Sequence, residues 1–285
     1  MPRIRSFSYA PAVLVYHHIY AGRRPAAGRT GDAVGLEDFE GQMRTLRERR
    51  FNVASLSSLV SAMERRAPVP PRTVAITFDD GYRSTYTRAQ PVLRKYGLAA
   101  CIFLVTDYLA DGPTLGDGAR RFDWLPEGDG GDARPISWQE AEALVAGGME
   151  VGSHTATHGF PPRMAAGELE AELVRSKEKI ETMLGRAPFA LALPFSFPIV
   201  HRRWPSFRRD LLAAMRKASY TCCCTLQRGG VRDGGGALFL PRVAVTGRDT
   251  PLSFYAKALG LYRYTGVPHR IYQAFFKKYG GTIGP

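Results

Sequence analysis

The stretch Val74–Tyr86 reads VAITFDDGYRSTY. An apolar, β-branched run ends in two adjacent carboxylates, and a glycine follows at once. Adjacent aspartates repel, and a buried charge is costly unless it is paired or bound to a metal. Asp-Gly is an ordinary turn signal. The same residues at the C-terminal end of a parallel strand would instead form a metal or acid–base site. The rest of the chain decides between these readings.

The stretch is one of eight strand-like runs, at 12–17, 51–55, 73–80, 99–105, 149–154, 189–195, 221–226 and 238–245. Helix-like patterns separate them at 36–49, 55–65, 84–96, 137–147, 166–184, 206–218 and 251–260. Ser137 with Glu140 three residues on reads as a capping box, and Gly97, Gly147-Gly148 and Gly185 fall where helices should stop. Strand–helix alternation implies an α/β fold with a parallel sheet and helices outside. Eight strands in 285 residues point to one distorted (β/α)7-8 barrel. Functional groups then belong at the C-terminal strand ends, which brings Asp79, Asp80, His154 and the Phe195 region to one mouth.

Residues 10–250 are read as this barrel, with the Gly- and Asp-rich stretch 110–135 as an insertion loop. Residues 251–285 are read as a helical extension. Within it, 262–279 (YRYTGVPHRIYQAFFKKY) is basic and aromatic, suited either to packing on the barrel or to an anionic or membrane surface. Lysines and arginines number 39 against 26 acidic residues, a net charge of +13. That excess favours anionic partners, but no nucleic-acid-reading motif accompanies it, and no nucleic acid is expected. Cys101 and the consecutive Cys222, Cys223 and Cys224 form neither a CxxC pair nor a disulfide framework. Adjacent strand residues face opposite ways, so these four are expected to be small buried apolar residues, as in a reducing compartment. The segment AVLVYHH reads as a first strand and not as a leader. No run of eighteen apolar residues occurs. A cytoplasmic location follows as the expectation, with membrane association through the basic tail left open.

Gly152–His158 reads GSHTATH. Two histidines at i and i+4 on a first helical turn would face the same way, as two metal ligands require. A carboxylate from Asp79 or Asp80 completes a His₂-carboxylate set with open positions, which suits a catalytic divalent ion.

TFDDG at 77–81 followed by HTATH at 154–158 resembles the polysaccharide deacetylase family, the NodB-homology proteins of carbohydrate esterase family 4. Tyr16-His17-His18-Ile19 resembles the opening Tyr-His-x-Ile/Val motif of the family's circularly permuted branch. The resemblance implies a NodB-like barrel and metal-dependent hydrolysis of the acetamide of an N-acetylated sugar. The substrate could be polymeric, oligomeric, or linked to a lipid or nucleotide. It also implies Asp79 as general base, Asp80, His154 and His158 as metal ligands, His17 as general acid, and the Phe195 backbone N–H as oxyanion donor. The implied cofactor is a divalent cation, Zn²⁺ first, with Ni²⁺, Co²⁺ or Fe²⁺ as alternatives. One segment departs from the pattern. Leu191-Ala192-Leu193 precedes Pro194-Phe195-Ser196 where relatives often carry an arginine, and Arg242 is the proposed replacement. The departure keeps two other readings open: an amidohydrolase of a non-sugar amide or cyclic imide, and a non-catalytic glycan-binding relative. Oligomeric state is not legible.

Overall fold

The computed structural model describes residues 11–22, 32–109, 129, 131–226 and 239–261. In chain order the first elements are β1 (Ala12–Tyr16), β2 (Ile19–Tyr20), β3 (Val34–Gly35), α1 (Leu36–Glu48), β4 (Asn52–Val53) and α2 (Leu56–Glu64). Next come β5 (Thr73–Phe78), a π-helical turn (Thr85–Ala89) running into α3 (Gln90–Tyr96), β6 (Cys101–Leu104), α4 (Trp138–Ala146) and β7 (Glu150–Ser153). Then follow α5 (Ala166–Leu184), β8 (Ala190–Ala192), α6 (Phe207–Lys217), β9 (Cys222–Thr225), β10 (Phe239–Pro241), β11 (Val243–Ala244) and α7 (Pro251–Ala258).

The main sheet is parallel throughout, in the order β10-β9-β8-β7-β6-β5-β1-β11, with β4 beside the start of β5. β10 and β11 are one strand interrupted at Arg242. Its first half pairs with β9 and its second half with β1. The two ends of the sheet therefore meet on 239–244, and a nearly closed barrel results. The expected strand–helix alternation is present in full. The small β2–β3 pair is an addition, since two-residue strands carry no period to read.

Alternation along the strands sorts the core. Val13, Ala75, Cys101, Phe103, Ala190, Ala192, Cys222, Cys224 and Leu240 meet in one cluster, against which α2 packs Leu56, Leu59 and Val60. Leu14, Tyr16, Val74, Ile76 and Phe78 point the other way, toward Phe39 and Met43 of α1 and Leu144 of α4. Cys223 faces Leu169, Leu173, Leu211 and Met215 of α5 and α6. All four cysteines are buried free thiols, as the alternation requires. Phe103 fills the barrel interior so closely that a Cβ at Gly152 on the neighbouring strand would overlap its ring.

Helix ends follow local chemistry. The Glu140 N–H donates to Ser137 Oγ at 3.1 Å, and the Ser137 N–H donates to Glu140 Oε2 at 3.0 Å, a complete capping box. Gly97 and Gly185 end α3 and α5 at φ of 61° and 65°, where a side chain would be strained. Residues 110–128 of the anticipated insertion and 262–279 of the basic tail lie outside the described residues. No described helix is long and apolar enough to cross a membrane.

Candidate active site

β1, β5, β7, β8 and the interrupted strand β10/β11 deliver the singled-out residues to one mouth. β5 runs beside β1 with Phe78 opposite Tyr16, and the Asp79 N–H donates to the Tyr16 carbonyl at 2.9 Å. Asp79 thus sits level with His17. The sequence placed the bend after the two aspartates, at Gly81. The structure starts it one residue earlier, because Asp80 itself has φ 69° and Gly81 follows at 71°. Aspartate tolerates the left-handed region better than most residues. The reversal turns both carboxylates toward the mouth.

His154 and His158 do not lie on a helical turn, contrary to the sequence expectation. Thr155 and His158 have φ of 67° and 57°, which an α-helix of L residues does not contain. Side chains hold this bend in place of a helical ladder. Ser153 Oγ accepts from the Thr155 N–H at 3.1 Å, and Thr155 Oγ1 accepts from the His158 N–H at 3.1 Å. Glu172 Oε2 of α5 accepts from the N–H groups of Ala156 and Thr157 at 3.1 and 2.9 Å. Asp80, Thr155, His158 and Phe195 (φ 66°) all hold left-handed backbone around one cleft, a kind of strain that clusters at functional sites.

The bend aims two imidazoles at one carboxylate. Asp80 Oδ1 lies 3.3 Å from His154 Nε2 and 3.2 Å from His158 Nε2. Two donors about 2.1 Å from a tetrahedral ion stand roughly 3.4 Å apart, so the three atoms are spaced as ligands of one cation. His154 Nδ1 donates to the Ala192 carbonyl at 2.9 Å. That fixes the tautomer that leaves Nε2 free to ligate, the usual outer-shell arrangement of a metal-binding histidine. Burial would raise the Asp80 pKa, but bonds from His154 and His158 hold it well below the usual carboxylate range. Burial would lower that of His154, and the charges of Asp79 and Asp80 outweigh it, for a net rise. Asp80, His154 and His158 are the group among the described residues able to hold a metal ion.

Asp79 has a different partner. Arg242, at the β10/β11 interruption, donates Nη1 to Asp79 Oδ1 and Nη2 to Oδ2, each at 2.6 Å. Arg242 also reaches Thr77 Oγ1 at 3.2 Å and lies over the Phe103 ring. Asp79 and Arg242 are both buried. Burial alone would push the Asp79 pKa up, and the Arg242 charge, followed by His154, brings it below its ordinary value. Asp79 Oδ2 lies 3.9 Å from His154 Nε2, so the ion-paired carboxylate borders the ligand triad.

His17 follows β1, close enough for its charge to act on both Asp79 and Asp80. Its Nδ1 is buried without a hydrogen-bond partner among the described residues. No described residue accepts a hydrogen bond from the Phe195 N–H. The Phe195 ring packs on His158 at 4.9 Å.

Three residues of the site were not singled out by sequence. Glu172 and Ser176 interrupt the buried stripe Leu169, Leu173, Ile180 of α5. Carboxylate and hydroxyl on an apolar helical face were the available signal. The third is His18. Its Nε2 lies 2.5 Å from Asp129 Oδ2, and its Nδ1 lies 2.9 Å from Ser84 Oγ. Ser84 Oγ also accepts from the Ile19 N–H at 3.0 Å, and its proton is available to His18 Nδ1. Burial lowers the His18 pKa, which favours the neutral ring; in that form, with Nδ1 accepting from Ser84, the ring proton sits on Nε2, facing Asp129. Arg88 binds the same Asp129 oxygen at 2.6 Å. This cluster fastens the backbone next to His17 to Asp129, where the 110–135 stretch returns to the barrel.

Comparison with known proteins agrees with this geometry. The family model described as "Polysaccharide deacetylase" matches residues 66–222, more than half the chain, and the chain belongs to that family. It is accordingly a hydrolase of carbon–nitrogen bonds other than peptide bonds, in the carbohydrate esterase 4 group. YxkH of Bacillus subtilis (strain 168), whose name marks it as a candidate polysaccharide deacetylase, is 22% identical over 234 residues, covering 82% of this chain and 71% of its own. The poly-β-1,6-N-acetyl-D-glucosamine N-deacetylase of Escherichia coli (strain K12) is 38% identical over 55 residues, 19% of this chain and 8% of its own. Two solved structures share the fold. The deacetylase PplD of Streptococcus pyogenes, in complex with acetate, superposes with a TM-score of 0.69 at 19% identity, covering 87% of this chain and 98% of its own. IcaB from Ammonifex degensii superposes at 0.67 and 21%, covering 90% and 98%.

Proposed function

We propose that this protein removes the acetyl group from the nitrogen of an N-acetylated sugar, with Asp80, His154 and His158 holding a divalent cation, Zn²⁺ first. The carrying observation is the donor triad beside a carboxylate that Arg242 keeps ionised. The cation would supply Lewis acidity and lower the pKa of a coordinated water to about 7. Asp79 accepts the proton of the attacking water. Both of its oxygens bond Arg242, yet each carboxylate oxygen has a second lone pair with which to do so. The Phe195 N–H donates to the oxygen of the acetamide carbonyl as charge develops there. Its left-handed backbone and its lack of an acceptor among the described residues support this role. His17 gives a proton to the departing sugar amine, and its buried Nδ1, without a hydrogen-bond partner among the described residues, supports that role. Acetate and a free amine are the products.

Arg242 also bears on the motif departure that kept a non-catalytic relative open. From another strand it meets Asp79 with bidentate geometry, which supports reading it as the replacement for the arginine that relatives often carry before Pro194. The test is acetate release from N-acetylglucosamine oligomers by the Zn²⁺-loaded protein. Release that stops on chelation and returns with Zn²⁺ supports the reading. No release from any oligomer with the metal bound would overturn it.

A further inference from the structure

The face running beyond Phe195 to Arg208 has no part in the chemistry just described, yet its composition is unusual. Between Glu181 and Asp210 the sequence holds no carboxylate and five arginines: 186, 202, 203, 208 and 209. Arg202, Arg203, Arg208 and Arg209 are exposed. Among the described residues only Arg209 has an acidic partner, Asp210 at 3.0 Å. A chain of ring contacts leads to them from the ligand triad. His158 meets Phe195 at 4.9 Å, Phe195 meets Phe160 at 5.8 Å, Phe160 meets Trp204 at 6.1 Å, and Trp204 meets His201 at 4.7 Å. Phe195 is 47% exposed, and the Trp204 Nε1–H is committed to the Pro198 carbonyl at 3.0 Å, which fixes the indole. A cleft of about 560 Å³, lined by residues 196–200, Arg208 and Phe239, meets this strip at Phe197, whose ring packs on Phe160 and Trp204.

Aromatic faces accept the C–H face of a sugar ring, and guanidinium groups accept phosphate or carboxylate oxygens in pairs. A strip that begins at the reacting centre and ends among unpaired arginines therefore suits a long, negatively substituted ligand. We infer that this face is an extended substrate subsite that binds the part of the glycan beyond the reacting sugar, and that this part carries anionic groups. The inference rests on the deacetylase reading and deepens it: the substrate class is an anionic, N-acetylated oligosaccharide or polymer. A lipid surface fits less well. Phe195 and Val200 are the exposed large apolar side chains of this face, too few for the broad apolar face of an interfacial anchor.

The test uses the full-length, Zn²⁺-loaded chain with three pentamers of N-acetylglucosamine. One is neutral, one carries phosphate at the reducing-end C1, and one carries phosphate at O6 of the non-reducing sugar. At low ionic strength one phosphorylated pentamer should show kcat/KM about tenfold above the neutral one, through KM, as one or two charge-assisted hydrogen bonds provide. The double variant Arg203→Gln/Arg208→Gln should erase that advantage and leave the neutral pentamer within about twofold, since neither residue touches the reacting atoms. Binding of the same pentamers to Asp79→Asn by calorimetry should show the same arginine-dependent preference. This second arm separates failure of the subsite from failure of the deacetylase reading, because it needs no turnover. Equal affinity for all three pentamers would overturn the inference. So would arginine-dependent sedimentation with vesicles of 30% phosphatidylglycerol in phosphatidylcholine, without any preference among the pentamers, which would assign the face to a membrane instead.

Discussion

Arg242 and Asp79, 163 residues apart in sequence, face each other through two parallel hydrogen bonds of 2.6 Å in the buried wall of the barrel. The pair can form because Arg242 interrupts the closing strand. Its N–H bonds the Thr225 carbonyl at 2.8 Å, so the backbone stays in the sheet while the side chain enters the barrel. Removing one member of such a pair leaves an uncompensated buried charge. Arg242→Gln should therefore cost about 3–5 kcal/mol of stability, read as a lower urea midpoint with an unchanged slope. Arg242→Lys keeps the charge but not the fork, so it should fall between Gln and wild type. A Gln variant as stable as wild type would mean that Asp79 is not held as a carboxylate.

Asp79 and Asp80 are neighbours with separate tasks, and substitution should split them. Asp79→Asn keeps the size and the ligand triad. It should lower turnover by about 10²–10⁴-fold, the usual contribution of a positioned base, with metal content by elemental analysis unchanged. His158→Ala removes a ligand and should lose the metal itself. Full activity in the first variant, or full metal content in the second, would contradict the division.

Much of this was readable from the chain, and the reason is periodicity. All eight strand runs and seven helices carry a pattern that survives without context, and TFDDG and HTATH sit at strand ends where the barrel rule puts function. The conformations of those motifs were not readable. HTATH has helical spacing but bends through Thr155 and His158 in the left-handed region. The bonds that hold the bend come from Ser153, Thr155 and Glu172 of the following helix, a set with no sequence period. His18 was likewise hidden, because its partners Ser84 and Asp129 are 66 and 111 residues away and show no local pattern. Arg242 could be proposed only because a motif position lacked its arginine.

Glu172 gives a prediction that does not depend on the substrate. Its carboxylate accepts from two N–H groups of the His154–His158 bend and is itself buried. Glu172→Ala leaves both donors without it, at about 1–3 kcal/mol for each group left unsatisfied. The bend should loosen and Zn²⁺ affinity should fall by about 10–100-fold, the usual effect of losing an outer-shell partner. Competition with a chelating dye measures this directly. Unchanged affinity would show that the bend is held without Glu172.

The His18 cluster predicts a pH signature. Burial lowers the His18 pKa below 6.5, more than the nearby Asp129 charge raises it. Over the window from about 6.5 down to the lower folded value, the unfolded chain therefore binds a proton that the folded chain refuses. Stability from His18 is complete above that window and declines as pH falls through it. Asp129 is pulled below its ordinary value. Burial opposes this, but the bond from Arg88 and the Ala21 N–H outweigh it. Its contribution thus persists above about pH 4 and disappears only as pH falls through its folded pKa. Melting temperatures of wild type and His18→Gln should therefore converge as pH drops from 7 to 5. Those of wild type and Asp129→Asn should converge only below pH 4. Because the measurement is a difference between proteins, titration of the remaining histidines cancels to first order. A His18→Gln offset that widens as pH falls from 7 to 5 would mean that His18 is charged in the fold. The Ser84 proton would then have to point elsewhere, and the backbone beside His17 would be anchored by an ion pair with Asp129 alone.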